Sequence, residues 1–131
     1  MLWALRILFV AILGSMLAVT GWASTQCALS AIPREVWTHP WFIATLVDAY
    51  WGFVTFYVWA AWKERGWAAR ILWLVAVLAL GNIAMAVYLL PELFAVDSSK
   101  DLALVATRRN SGRLGLPVLL VALSILVYSI A

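Results

Sequence analysis

An aspartate inside an otherwise apolar stretch is the first residue here whose chemistry demands an explanation. Asp48 follows Trp41 by seven residues, so on a helix it lies about 10 Å from the start of that stretch. Asn82 and Ser15 occupy comparable positions in two other apolar runs, each about 10–12 Å from a flanking boundary. A carboxyl facing lipid is costly, so Asp48 is expected to turn inward and find donors such as Asn82 or Ser15. Such a layer serves as glue between helices, as a polar contact for a ligand, or as a protonatable site. A proton relay lacks a next station, because no second carboxylate, lysine or arginine shares that depth.

The run around Asp48 is aromatic: Tyr50, Trp51, Phe53, Phe56, Tyr57 and Trp59. These rings surround a helix and form no single stripe. They suit packing against neighbours and lipid, and they also offer stacking surfaces for a quinone, a carotenoid or a chlorophyll-like ring, or contacts for a bound lipid. The single histidine, His39, precedes Pro40; its neutral imidazole is a candidate ligand for a pigment metal, against the plainer reading of a hydrated side chain. Cys27 is the one cysteine, which excludes an internal disulfide and a cysteine-based metal site, and no other metal site is expected. No phosphate loop, dinucleotide fingerprint, HExxH or nucleophile elbow occurs, so the chain reads as no enzyme.

Composition dictates what must hold these residues. Of 131 residues 66% are hydrophobic and 11% charged, against roughly 25% charged in a soluble domain. The expected fold is therefore an all-α integral membrane protein in one domain, residues 1–131: a four-helix transmembrane bundle with a short interfacial helix before the last span. Crossing about 30 Å of hydrocarbon takes about 20 apolar residues. Spans are expected at about 2–23, 41–62, 71–90 and 114–131, the third closed by Pro91. Ser98 and Asp101, at capping-box spacing, predict the interfacial helix over about 99–109. The first run also has the layout of a secretory signal, with Arg6 as basic flank and Gly21-Trp22-Ala23 as a weak cleavage site; we take it as a span.

Tryptophans mark the ends. Trp3 and Trp22 bracket the first run, Trp37 and Trp41 precede the second, Trp59 and Trp62 close it, and Trp67 and Trp73 open the third. An indole settles at a membrane boundary because its apolar body carries one N–H to hydrate. With four alternating spans, Arg6, Lys63, Arg65 and Arg70 fall on one side, and Arg34, Lys100, Arg108, Arg109 and Arg113 on the other. The first three spans then favour a cytoplasmic N-terminus in a bacterial inner membrane, while the arginines before the fourth oppose it. The net charge of +3 suits anionic headgroups, and no basic face suggests nucleic acid.

His39-Pro40-Trp41, Asp48 to Phe53, Phe56 to Trp59, Lys63-Glu64 and Gly81 to Ala84 together resemble a family of small bacterial multi-spanning membrane proteins of unknown function. The likeness is strongest over residues 39–87; it implies a hairpin of the second and third spans and imports no activity. Three functional expectations follow. The first is a non-catalytic accessory or structural subunit of a larger respiratory or photosynthetic membrane complex, packing against partner subunits, lipids or pigments. The second is a small oligomeric transporter or sensor built on the Asp48 and Asn82 layer. The third is a lipid-modifying enzyme working at the interface near His39 or the 63–70 loop.

Overall fold

The computed structural model describes residues 1–130; Ala131, the last residue of the fourth expected span, lies outside them. Two long helices come first, α1 (Leu2–Gln26) and, after the single turn α2 (Arg34–Trp37), α3 (Pro40–Lys63). Both are long and apolar enough to cross a membrane. Pro40 opens α3 at the position where a missing N–H costs nothing. Trp3, Ile7, Val10 and Trp22 on α1, and Trp41, Trp51 and Val58 on α3, are each more than half exposed. Such exposed apolar side chains suit helices set in apolar surroundings, lipid or the face of a partner.

The third expected span is not one helix. It divides into α4 (Trp67–Leu80) and α5 (Asn82–Phe94), apolar helices of 14 and 13 residues joined by Gly81 alone. Trp73 and Tyr88 show what happens at the joint. In one continuous helix these residues would stand about 22 Å apart along the axis, yet their ring centroids are 4.7 Å apart, edge to face. The chain therefore folds back at Gly81 into a V. Gly81 makes the bend with φ +53° and ψ −125°, a conformation for glycine. A β-carbon there would stand 2.6 Å from Cζ of Phe53, so α3 crosses directly over the apex. Pro91, expected to close this span, sits inside α5, which runs one further turn to Phe94.

Small side chains let the arms close. Ala76 and Val77 on α4 and Ala84 on α5 are fully buried with Ala60 and Trp73, and Leu120 of the last helix joins them. That helix, α7 (Gly115–Ile130), runs alongside α4 and ties its far end to the apex, where Tyr128 Oη donates to the carbonyl of Ala79 at 2.7 Å. Helix α1 packs instead on α5. Its Arg6 guanidinium donates to the carbonyls of Leu93 (3.0 Å) and Val96 (2.7 Å), between the rings of Trp3 and Phe94. The Leu93 carbonyl is in the last turn of α5, where it has no partner within the helix, and Val96 lies just beyond it. Arg6→Gln is expected to lower the unfolding free energy in detergent by about 1–3 kcal/mol; an unchanged denaturation midpoint would show that Arg6 does not anchor α1. Gly14-x-x-x-Ala18, which allows close helix approach, has no helix against it: Gly14 has open space where a β-carbon would stand.

The expected short helix is present as a single 3-10 turn, Ser99–Asp101, leading into α6 (Leu102–Thr107). Ser98 Oγ accepts from the N–H of Lys100, as a cap should.

The V changes which charges share an end. The single reversal at Gly81, within one expected span, returns the 92–113 segment to the side where α1 begins and α3 ends. Ser99 Oγ accepts from the N–H of Leu2, Arg108 meets Glu92, and Arg109 lies over the ring of Trp62. Arg6, Lys63, Arg65, Arg70, Lys100, Arg108, Arg109 and Arg113 thus gather at one end, and only Arg34 lies at the other. The division into opposed sides expected from four alternating spans is corrected by this one bend.

Candidate functional site: a polar cavity at the basic end

Lys63 and Glu64 close α3, at a place that looks like an ordinary solvated loop. Instead Lys63 is 0% and Glu64 2% exposed. The segment after α6 is threaded back beside them. Asn110 donates its N–H to the carbonyl of Lys63 at 2.9 Å, and Glu64 and Asn110 pair as an isolated parallel bridge. Two glycines allow the approach: Gly112, with φ +74°, lies so close to Gly66 that its β-carbon would be 3.4 Å from the Gly66 nitrogen.

Burial forces partners on both charges. The Lys63 ammonium donates to Glu92 Oε2 at 2.8 Å and to the carbonyl of Val105, with the ring of Trp59 5.0 Å away. Arg108 stands 3.6 Å from the same Glu92 oxygen. Glu64 is held otherwise. Its Oε1 accepts from Tyr88 Oη at 3.0 Å and from Asn110 Nδ2 at 2.8 Å, and Arg70 Nε donates to its backbone carbonyl. Among the described residues no cation reaches its carboxylate, and Oε2 accepts no hydrogen bond. Among the described residues no side-chain polar atom is both buried and unsatisfied, so that oxygen is open to the space beside it.

That space is a cavity of about 730 Å³. Glu64, Glu92 and Tyr88 form its polar wall, Trp73 and Pro117 its apolar one, and Arg108, Arg109 and Arg113 stand around it. A cavity of this size takes a drug-sized or headgroup-sized molecule. The chemistry it offers is recognition: one accepting carboxylate oxygen inside, guanidinium donors around it, and two ring faces.

The sequence that builds this site matches a family model. The model for a protein of unknown function, DUF1475, covers residues 2–111. The chain belongs to the DUF1475 family. The match takes in α1 to α6, the V and every member of the Lys63–Glu64–Tyr88–Glu92–Asn110 network, and stops short of α7. No curated protein and no solved structure matches the chain. The family assignment agrees with the resemblance drawn from residues 39–87 and extends it almost to the N-terminus.

The residues singled out from the DUF1475 sequence are placed differently. Ser15, Asp48 and Asn82 are all exposed, and none bonds to another; Ser15 Oγ donates to the carbonyl of Ile12 in its own helix. The expected inward polar layer is therefore not assembled, since the bend moves Asn82 to the apex of the V. The aromatic residues have separate duties. Phe53 lies under Gly81, Phe56 and Trp59 pack edge-on against Tyr88, and Tyr57 Oη donates to the carbonyl of Arg70. Trp59 Nε1 donates to the carbonyl of Ala106, while Tyr50 and Trp51 point outward. Trp73, expected at a boundary, is in the core. His39 is an exposed N-cap whose carbonyl, not its imidazole, is engaged. Cys27 is exposed at the end away from the cavity.

Sequence reasoning missed the network because its members come from three segments, 63–64, 88–92 and 110, that lie 18 to 47 positions apart. One signal was available: Lys63 and Glu64 end a helix of which the other residues expect apolar surroundings.

Proposed function

We propose that this chain is a non-catalytic integral membrane protein of the bacterial inner membrane whose work is to bind a polar-headed amphiphile in the cavity at its basic end. The buried carboxylate of Glu64 carries this reading. A membrane protein that shields two acids and a lysine from lipid, yet leaves one carboxylate oxygen open beside a 730 Å³ space, has kept an acceptor for something from outside. The cavity lies at the start of α7 and the end of α3, where headgroups would meet the protein. Purification in mild detergent followed by lipid extraction is the test. At least one amphiphile is expected to stay bound at close to one per chain and to be lost from Arg113→Gln; a chain that purifies free of amphiphile, with the cavity intact, overturns the reading.

Eight basic residues at one end against Arg34 at the other support a cavity at the cytoplasmic face, with the N-terminus beside it. Cys27 then faces the periplasm. An impermeant maleimide is expected to label it in intact cells; labelling only after lysis would invert the orientation.

A second reading, an accessory subunit packing against partner helices, is favoured by α1. Every residue of α1 from Leu17 to Gln26 is exposed. Foreign subunits recovered in stoichiometric amount would support it, and a pure homo-oligomer would sink it.

A further inference from the structure

Resting on the amphiphile-binding reading, we infer that the cavity selects phospholipids whose headgroup carries a primary ammonium next to its phosphate, that is, the phosphoethanolamine type. Two features of the site set this demand, an acceptor that discriminates between headgroups and a donor that takes the phosphate they share.

The first is the acceptor. Glu64 Oε2 has no partner, while Tyr88 and Asn110 hold the other oxygen and so fix the direction of the carboxylate. A group that meets it must donate, and it gains most if it is a cation, because among the described residues none pairs with the Glu64 carboxylate, whereas Glu92 takes both Lys63 and Arg108. A phosphoglycerol head brings hydroxyl donors and no positive charge. A phosphocholine head brings charge, but its methyl groups replace every N–H. Only a primary ammonium supplies both.

The second feature is the donor side. Arg113 lines the cavity and makes no hydrogen bond or ion pair among the described residues. A guanidinium in this setting is suited to a phosphate diester, which offers paired oxygens to its fork of N–H groups. An ammonium and a phosphate two carbons apart thus meet an acid on one side and a base on the other. Trp73 and Pro117, on the helices leading away from this end, continue the apolar wall along which acyl chains would run. A purely anionic head satisfies Arg113 and leaves Glu64 facing a like charge.

The experiment is native mass spectrometry of the detergent-purified full chain titrated with palmitoyl-oleoyl phospholipids bearing phosphoethanolamine, phosphocholine or phosphoglycerol heads. The phosphoethanolamine lipid is expected to bind about tenfold more tightly than either other lipid, the ratio for one charge-assisted hydrogen bond. Glu64→Gln keeps an acceptor for Tyr88 and Asn110 but loses the charge, and is expected to abolish that preference. Arg113→Gln is expected to weaken all three lipids alike. The headgroup ranking of the unsubstituted protein needs no variant, so a misfolded substitution does not hide the answer. Equal binding of phosphoethanolamine and phosphocholine, or tighter binding of phosphoglycerol, overturns the selectivity while leaving amphiphile binding intact. Binding of all three that is indifferent to both Glu64→Gln and Arg113→Gln overturns the selectivity and the cavity as the site.

Discussion

Lys63→Met is expected to cost about 3–5 kcal/mol of stability, because it strands a carboxylate in a buried site. Lys63 is 0% exposed, and its ammonium is the nearest partner of Glu92 at 2.8 Å. Methionine matches the length of the aliphatic stem but leaves Glu92 with Arg108 alone, at 3.6 Å, and leaves the Val105 carbonyl without its donor. The damage spreads because these groups lie on different elements: Lys63 ends α3, Glu92 is in the last turn of α5, and Val105 belongs to α6. Lys63→Arg is not expected to rescue the site, since a planar guanidinium needs a wider slot than the one an ammonium fills. The double variant Lys63→Met, Glu92→Leu removes both charges, and its cost is expected to fall well below the sum of the single ones. Denaturant titration in detergent measures all of these. A single-variant loss under about 1 kcal/mol, the range of exposed pairs, would mean that the ion pair is solvated.

Gly81→Ala is expected to be comparably damaging for an unrelated reason. Its φ of +53° with ψ −125° is a region alanine enters at a cost of about 1–3 kcal/mol. Its β-carbon would also stand 2.6 Å from Phe53 Cζ, an overpacking that adds about 1–3 kcal/mol. The two terms separate in a Phe53→Ala background, where the clash is relieved and the backbone strain remains, so the double variant recovers part of the loss. Alanine also favours a straight helix through this position, and a straight helix separates Trp73 from Tyr88 and opens the core. Wild-type thermal stability in Gly81→Ala would show that the chain does not fold back here.

These two variants probe the points at which the sequence was hardest to interpret. Apolar runs and flanking tryptophans do locate the helices: α1, α3 and α7 fall within a few residues of the expected spans, and the turn after Ser98 begins where its capping residues indicate. Periodicity and length report local conformation, because each residue's preference for helix depends on near neighbours. A break at Gly81 is not legible this way. Glycine is tolerated inside apolar helices, and what leaves no room for a side chain at this one is the ring of Phe53, 28 positions earlier in the chain. Once the break is missed, every later residue is counted on the wrong side. That is why Lys100, Arg108, Arg109 and Arg113 looked opposed to Arg6 and Lys63.

The candidate site divides in the same way. Asp48 drew attention because a carboxylate in an apolar run is conspicuous, and the structure leaves it exposed on α3 without a bond to Ser15 or Asn82. The acids that are enclosed, Glu64 fully and Glu92 in part, sit beside other charged or helix-ending residues and look solvated. From its own composition this chain determines that it is helical, apolar on its outer faces and basic where its charges cluster. The tertiary structure alone decides that the basic clusters share one end and that Glu64, Tyr88, Glu92 and Asn110 line one cavity, with Lys63 buried against Glu92. The physical reason is that burial belongs to neighbours: a charge is exposed or enclosed according to which distant segment covers it, and that follows from the bend at Gly81 and the close approach of Gly112 to Gly66.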